Sequence, residues 1–140
     1  MRAVLDTNTF ISAFINNEGL PYQAIELWFN RKYNIVTSEW QIEELRDVSR
    51  RKRVKPIVTP HAIGRFINLL RTKGIIVEDL PEVDYSPDPK DNPILATGIA
   101  GQVQYIVSGD RKHMLDLKKV QGIPIVTVRK FVGMFANLEH

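Results

Sequence analysis

At 140 residues the chain fits one domain and leaves little room for a second. It has no cysteine, which excludes disulfides and thiolate metal sites, and no apolar run approaches the roughly 18 residues needed to span a bilayer. The composition, 44% hydrophobic and 25% charged, reads as soluble and globular, and a net charge of +3 is too mild to specify a polyanionic partner alone. A reducing cytosol suits a chain without cysteine, so a cytoplasmic location with no membrane partner is the expectation.

Arg2-Ala3-Val4-Leu5 already reads as structure, so no signal peptide is expected, and Val4-Leu5 opens the first strand. Asp6 follows directly. Phe10, Ile11, Phe14 and Ile15 then recur with helical spacing, as do Ala24, Leu27 and Trp28. Ile35-Val36-Thr37 is a second strand, leading into a helix predicted over Trp40 to Arg50. Arg50-Arg51-Lys52-Arg53 is a basic block, extended by Arg46 and Lys55. Thr59-Pro60 reads as a cap with proline at the first helical position, ahead of Ile63, Phe66, Ile67 and Leu70. Gly74 stops that helix before a third strand, Ile75-Ile76-Val77. The stretch from Leu80 to Pro93 is loop-like, with prolines at 81, 87, 89 and 93. A helix headed by Asp91, a fourth strand Tyr105-Ile106-Val107 and a fifth strand Ile125-Val126-Thr127-Val128 complete the chain, with Gly122 read as a helix stop before the last. Residues 1–137 are taken as one domain. Leu138-Glu139-His140 looks like the start of an expression tag and is set aside.

Strands this apolar suit a parallel sheet buried on both faces, and their alternation with helices implies an α/β sandwich. In such folds sites form beyond the carboxyl ends of the strands, at a topological switch point. Asp6 and Asp110 meet that demand, each shortly after a strand, although an aspartate there also caps the following helix. On the Trp40–Arg50 helix, Ile42, Leu45 and Val48 mark the buried face. Glu44 lies about 40° from Val48, whereas Glu43 points away and reads as a surface charge. Asp91 shares a face with Ile94 and Leu95. Its ordinary reading is a cap, a role that Asn92 could fill instead. Four carboxylates converging in one cleft would repel one another, and hard divalent cations resolve that conflict. His61 and His113 are not spaced along the chain for a zinc site.

The blocks "VLDTNTFISAF", "EELRDVSRRKR", "DPKDNPILATGIAG" and "YIVSGDRKHML" together resemble the signature segments of the PIN domain family. Their order and spacing are most similar to the small prokaryotic PIN proteins known as toxin components of toxin–antitoxin systems. The resemblance spans nearly the whole chain. It implies a three-layer α/β/α sandwich with a parallel sheet of four or five strands in order 3-2-1-4-5. It also implies an acidic site of Asp6, Glu44, Asp91 and Asp110 binding Mg²⁺ or Mn²⁺. Asn8 matches the small polar residue after the first aspartate. Ser108 stands where the family more often has threonine. Gly98 stands where alanine is usual, a change expected to loosen its helix. Asp88 is an extra carboxylate.

The function so implied is metal-assisted phosphodiester hydrolysis, with RNA as the expected substrate and DNA not excluded. Asp6, Asp91 and Asp110 would be the main metal ligands, and Glu44 would bind a second ion or orient the attacking water. Asn8, Ser108 and Asp88 would supply surrounding hydrogen bonds. Arg46, Arg50 and Arg53, at i, i+4 and i+7, are candidates to track a phosphate backbone from one helical stripe, though a solvated helix face has the same pattern. An antitoxin protein and a homodimer or higher homo-oligomer are the expected partners. Phe29 and Trp40 are interface candidates, and Trp28 is read as core. Two other readings stay open here: a nucleic-acid-binding PIN scaffold without activity, and a receiver-like signalling domain using Lys130.

Overall fold

The computed structural model describes residues 1–109 and 113–136. Asp110 and the residues set aside at 138–140 lie outside the described residues. Six strands form one sheet: β1 (Arg2–Leu5), β2 (Asn34–Ser38), β3 (Ile75–Val77), β4 (Tyr105–Val107), β5 (Lys119–Val120) and β6 (Ile123–Val126). Their order is β3-β2-β1-β4-β6-β5. Every pairing is parallel except β5 with β6. The five strands read from sequence are therefore present in the expected order, with β6 in the fifth place. The receiver alternative fails on that order, because receivers place strand 1 beside strand 3 and here β1 lies between β2 and β4.

The short antiparallel strand β5 was not expected. Gly122, read as a helix stop, instead shapes the β5–β6 hairpin. Gln121 and Gly122 both have positive φ, 49° and 80°, as a tight two-residue turn between twisted strands requires.

Among the described residues six α-helices accompany the strands: α1 (Thr7–Ile15), α2 (Leu20–Phe29), α3 (Glu39–Ser49), α4 (Pro60–Lys73), α5 (Asn92–Ala100) and, after the last strand, α6 (Val128–Ala136). Alternate strand residues feed two separate cores. Ala3, Leu5, Ile35, Val107 and Val126 pack with α1, α2, α3, α4 and α6. Val4, Val36, Ile106 and Ile125 pack with α5 and Met114 on the opposite face. This two-sided burial explains why neighbouring strand residues such as Val4 and Leu5, or Ile35 and Val36, are both apolar. Trp28 is buried in the first core and Phe29 is exposed. Among the described residues no helix is long and apolar enough to cross a membrane.

Local signals set the helix ends. Thr59 caps α4 by accepting from the Ala62 amide, and Gly74 ends it. Ser38 caps α3, so that helix runs from Glu39 to Ser49 and not from Trp40 to Arg50. On α5, Gly98 has a packing role: an added Cβ there would lie 2.9 Å from Ile106 Cδ1, so the missing side chain lets α5 settle onto β4.

Candidate functional site

The carboxyl ends of β1 and β4 adjoin at the point where the chain turns from one half of the sheet to the other. Asp6 stands there, buried, and the capping reading of it holds. Its Oδ1 caps α1, accepting from the Thr9 amide at 2.9 Å and from the Thr9 hydroxyl. Its Oδ2 accepts from the Ser108 hydroxyl at 2.7 Å. A carboxylate offers about four acceptor sites, so these three bonds fix the group while leaving room for one further ligand.

Glu44 reaches the same place from α3. A buried glutamine orients that helix: Gln41 Nε2 donates to the Leu5 carbonyl at 2.7 Å, and its Oε1 accepts from Thr37 at 2.7 Å. Glu44 then accepts from the Thr7 hydroxyl. Burial pushes its carboxyl above the ordinary glutamate value. The Thr7 hydrogen bond and then the charge of Arg51 oppose the rise, Asp6 adds to it, and Lys90 opposes it.

The third wall comes from the loop before α5. Asn92 is not a cap. Its Oδ1 accepts from the Tyr85 and Ser86 amides at 3.0 and 2.9 Å, which folds the loop back on the helix. Asp88 caps a single 3₁₀ turn, Pro89–Asp91, by accepting from the Lys90 amide. Asp91 is half-buried and accepts from the Ser86 hydroxyl at 2.9 Å.

Asp6, Asn8, Glu44, Asp88 and Asp91 thus line one open cleft of about 170 Å³. Chain spacing set His113 aside, yet it offers a ring nitrogen that lies, with oxygens of Asp88 and Asp91, in a group whose ligand atoms are all within 4.8 Å of one another. The oxygen-rich donor set, without any thiolate, fits a hard divalent cation. The imidazole would widen the choice toward transition ions.

The arginine stripe does not form as expected. Because α3 ends at Ser49, Arg53 is not on the helix, and Arg50 is its capping residue. Arg46 pairs with Glu43 at 2.5 Å, and Arg50 lies 3.9 Å from Asp47, both exposed. Among the described residues, the cations that line the cleft are Arg51 and Lys90. Sequence reasoning missed both. It also missed Thr7, Thr9, Ser86 and Gln41. Gln41 was findable, since at about 100° per residue it falls between Leu45 and Val48 on the buried face, where a polar side chain must have partners.

With this geometry in view, three comparisons are informative. The PIN domain family model matches residues 2–112. An uncharacterised protein of Methanocaldococcus jannaschii, MJ1680, is 26% identical over 120 residues, covering 84% of this chain and 76% of its own. Among solved structures, PAE2754 from Pyrobaculum aerophilum superposes with a TM-score of 0.63 at 14% identity, covering 98% of this chain and 90% of that one. VapBC2 from Rickettsia felis, crystallised with a DNA fragment from its promoter, superposes with a TM-score of 0.58 at 18% identity, covering 91% of this chain and 98% of that one. Both structural likenesses are likenesses of fold.

Proposed function

The chain belongs to the PIN domain family, whose members are generally nucleases, and from that premise we propose that it is an endoribonuclease dependent on Mg²⁺ or Mn²⁺. The observation that carries the reading is the convergence of Asp6, Glu44 and Asp91, from three separate elements, on one cleft at the sheet's switch point. Asp110 completes the set by the resemblance. Asp6, Asp91 and Asp110 would hold the ion, with Asp88 and His113 beside them. A bound divalent ion supplies an acidified water and neutralises charge on the phosphate. The protein's own groups do the rest. Thr9 and Ser108 fix the Asp6 carboxylate, and Ser86 fixes Asp91. Glu44, held by Thr7 and raised by burial, would orient the attacking water and draw off its proton.

We further propose that the chain is the toxin of a toxin–antitoxin pair. The likeness to the PIN fold of VapBC2 supports this setting, as does a cleft open enough to need blocking. An antitoxin would do so by placing a cationic side chain among the carboxylates. Self-association through the exposed Phe29 belongs to the same reading. Arg46, Arg50 and Arg53 remain proposed contacts for the outer phosphates, now from a helix end and its following turn.

The test is cleavage of RNA and DNA oligonucleotides with Mg²⁺ or Mn²⁺. RNA is expected to be cut, EDTA to stop it, and Asp6→Asn or Asp91→Asn to abolish it in folded protein. Glu43→Gln, whose residue is exposed and paired with Arg46, should change little. Cutting that persists in excess EDTA would sink the reading.

A further inference from the structure

A cleft floored by carboxylates repels a phosphodiester until something offsets the charge. Among the described residues, two cations line it, and they come from separate elements: Arg51 from the turn after α3, and Lys90 from the 3₁₀ turn before α5. We infer that Arg51 and Lys90 form a clamp gripping phosphate groups of a single-stranded nucleic acid laid across the carboxylates. This inference rests on the nuclease reading and names residues that it leaves unassigned.

Both cations sit on fixed backbone. The Arg51 amide donates to Val48, and its carbonyl accepts from the Val54 and Lys55 amides at 3.0 and 2.9 Å. That turn is pinned beneath by Val54 and the buried Val58, both packed into the core. The Lys90 amide is held by Asp88 Oδ1 at 3.1 Å. The charged ends are uncommitted by comparison with their neighbours. Arg46, Arg50 and Arg71 have carboxylate partners within 4.0 Å, whereas among the described residues neither Arg51 nor Lys90 is in such a pair.

The chemistry of the two differs usefully. A guanidinium presents a planar fork that matches two phosphate oxygens, while an ammonium is a mobile point charge. Lining one cleft with the acids, they suit neighbouring phosphates of one strand laid over Asp6 and Glu44. Neither reads a base edge, so the grip is independent of sequence.

The probe is a short fluorescein-labelled single-stranded RNA, followed by anisotropy in Mg²⁺ on the Asp6→Asn background. Arg51→Gln and Lys90→Gln should each weaken binding about tenfold. Each should also flatten the slope of log affinity against log salt by about 0.7. Arg51→Lys should restore the slope but not all of the affinity. Lys32→Gln, at the amino end of β2 and so the opposite edge of the sheet, should do neither. The clamp is overturned if both cleft variants bind like their parent, if Lys32→Gln loses as much, or if the parent fails to bind the RNA. Wild-type cleavage that is metal-dependent but keeps its KM in both variants removes the clamp and leaves the nuclease reading. Binding that depends on Arg51 and Lys90 in a chain that cuts nothing keeps the clamp and removes that reading.

Discussion

The Ser108 hydroxyl donates a 2.7 Å hydrogen bond to Asp6 Oδ2, fastening the end of β4 to the end of β1 across 102 positions of sequence. Both residues are buried, and the Asp6 amide donates to Val107 at 2.9 Å, so the carboxylate is set by backbone and side chain together. Groups that orient a metal-binding carboxylate commonly matter about 10- to 100-fold in affinity or activity. Ser108→Ala should therefore lower cleavage by about that factor and raise the Mg²⁺ concentration for half-maximal rate, with Ser108→Thr restoring both. A metal titration of the three proteins checks this. An alanine variant with an unchanged metal requirement would make the bond merely structural.

That bond also marks what could be read in advance. The five parallel strands were legible because each carries a short apolar run, as burial on both faces favours. The positions of Asp6, Glu44 and Asp91 followed from strand ends and helix phase. What escaped was set by tertiary packing. The two-residue β5 carries no periodic signal, and Gly122 serves a hairpin as readily as a helix end. Arg51 and Lys90 lie in a turn outside any helix period and in a one-turn helix, so no face could be assigned to them. His113 follows α5 and β4 in the chain yet comes beside Asp88 and Asp91, a proximity that spacing cannot express.

Glu44 gives a pH signature. Burial raises its folded pKa above the unfolded value, so the folded chain holds that proton more tightly. Below about pH 4 both states are protonated and the group has little effect. As pH rises through the raised folded value, the folded state must keep a half-buried charge and loses stability relative to the unfolded chain. Glu44→Gln keeps an oxygen to accept from Thr7 and carries no charge. Its Tm in EDTA should exceed that of wild type at neutral pH and converge with it in acid. A constant offset across the pH range would refute the linkage.

Gly101 makes a separate prediction about the fold. It ends α5 where the helix passes closest to β2, and an added Cβ would stand 2.4 Å from Val36 Cγ1. Val36 is fully buried and β-branched, so it has little freedom to turn aside. Overpacking of this kind typically costs about 1–3 kcal/mol. Gly101→Ala should lower stability by that amount in denaturant unfolding while leaving the cleft residues in place. A variant as stable as wild type would show that the α5–β2 contact relaxes freely.

The biological setting can be tested in cells with the same residues. If the cleft cuts cellular RNA, expression of the wild-type chain should arrest growth, because even a slow nuclease turns over repeatedly on transcripts that must be remade. Asp6→Asn removes the buried carboxylate that joins β1 to β4 but keeps a side chain of the same shape, whose Oδ1 can still accept from Thr9 while its amide nitrogen donates to the Ser108 hydroxyl oxygen. It should accumulate to similar levels without arrest. A co-encoded antitoxin should restore growth and bind both forms, since its contact with the folded surface does not require turnover. Arrest by wild type and Asp6→Asn alike would point to toxicity from binding or aggregation. Harmless expression of an active nuclease, with no neighbouring gene product that binds it, would assign the activity to RNA processing in place of a toxin.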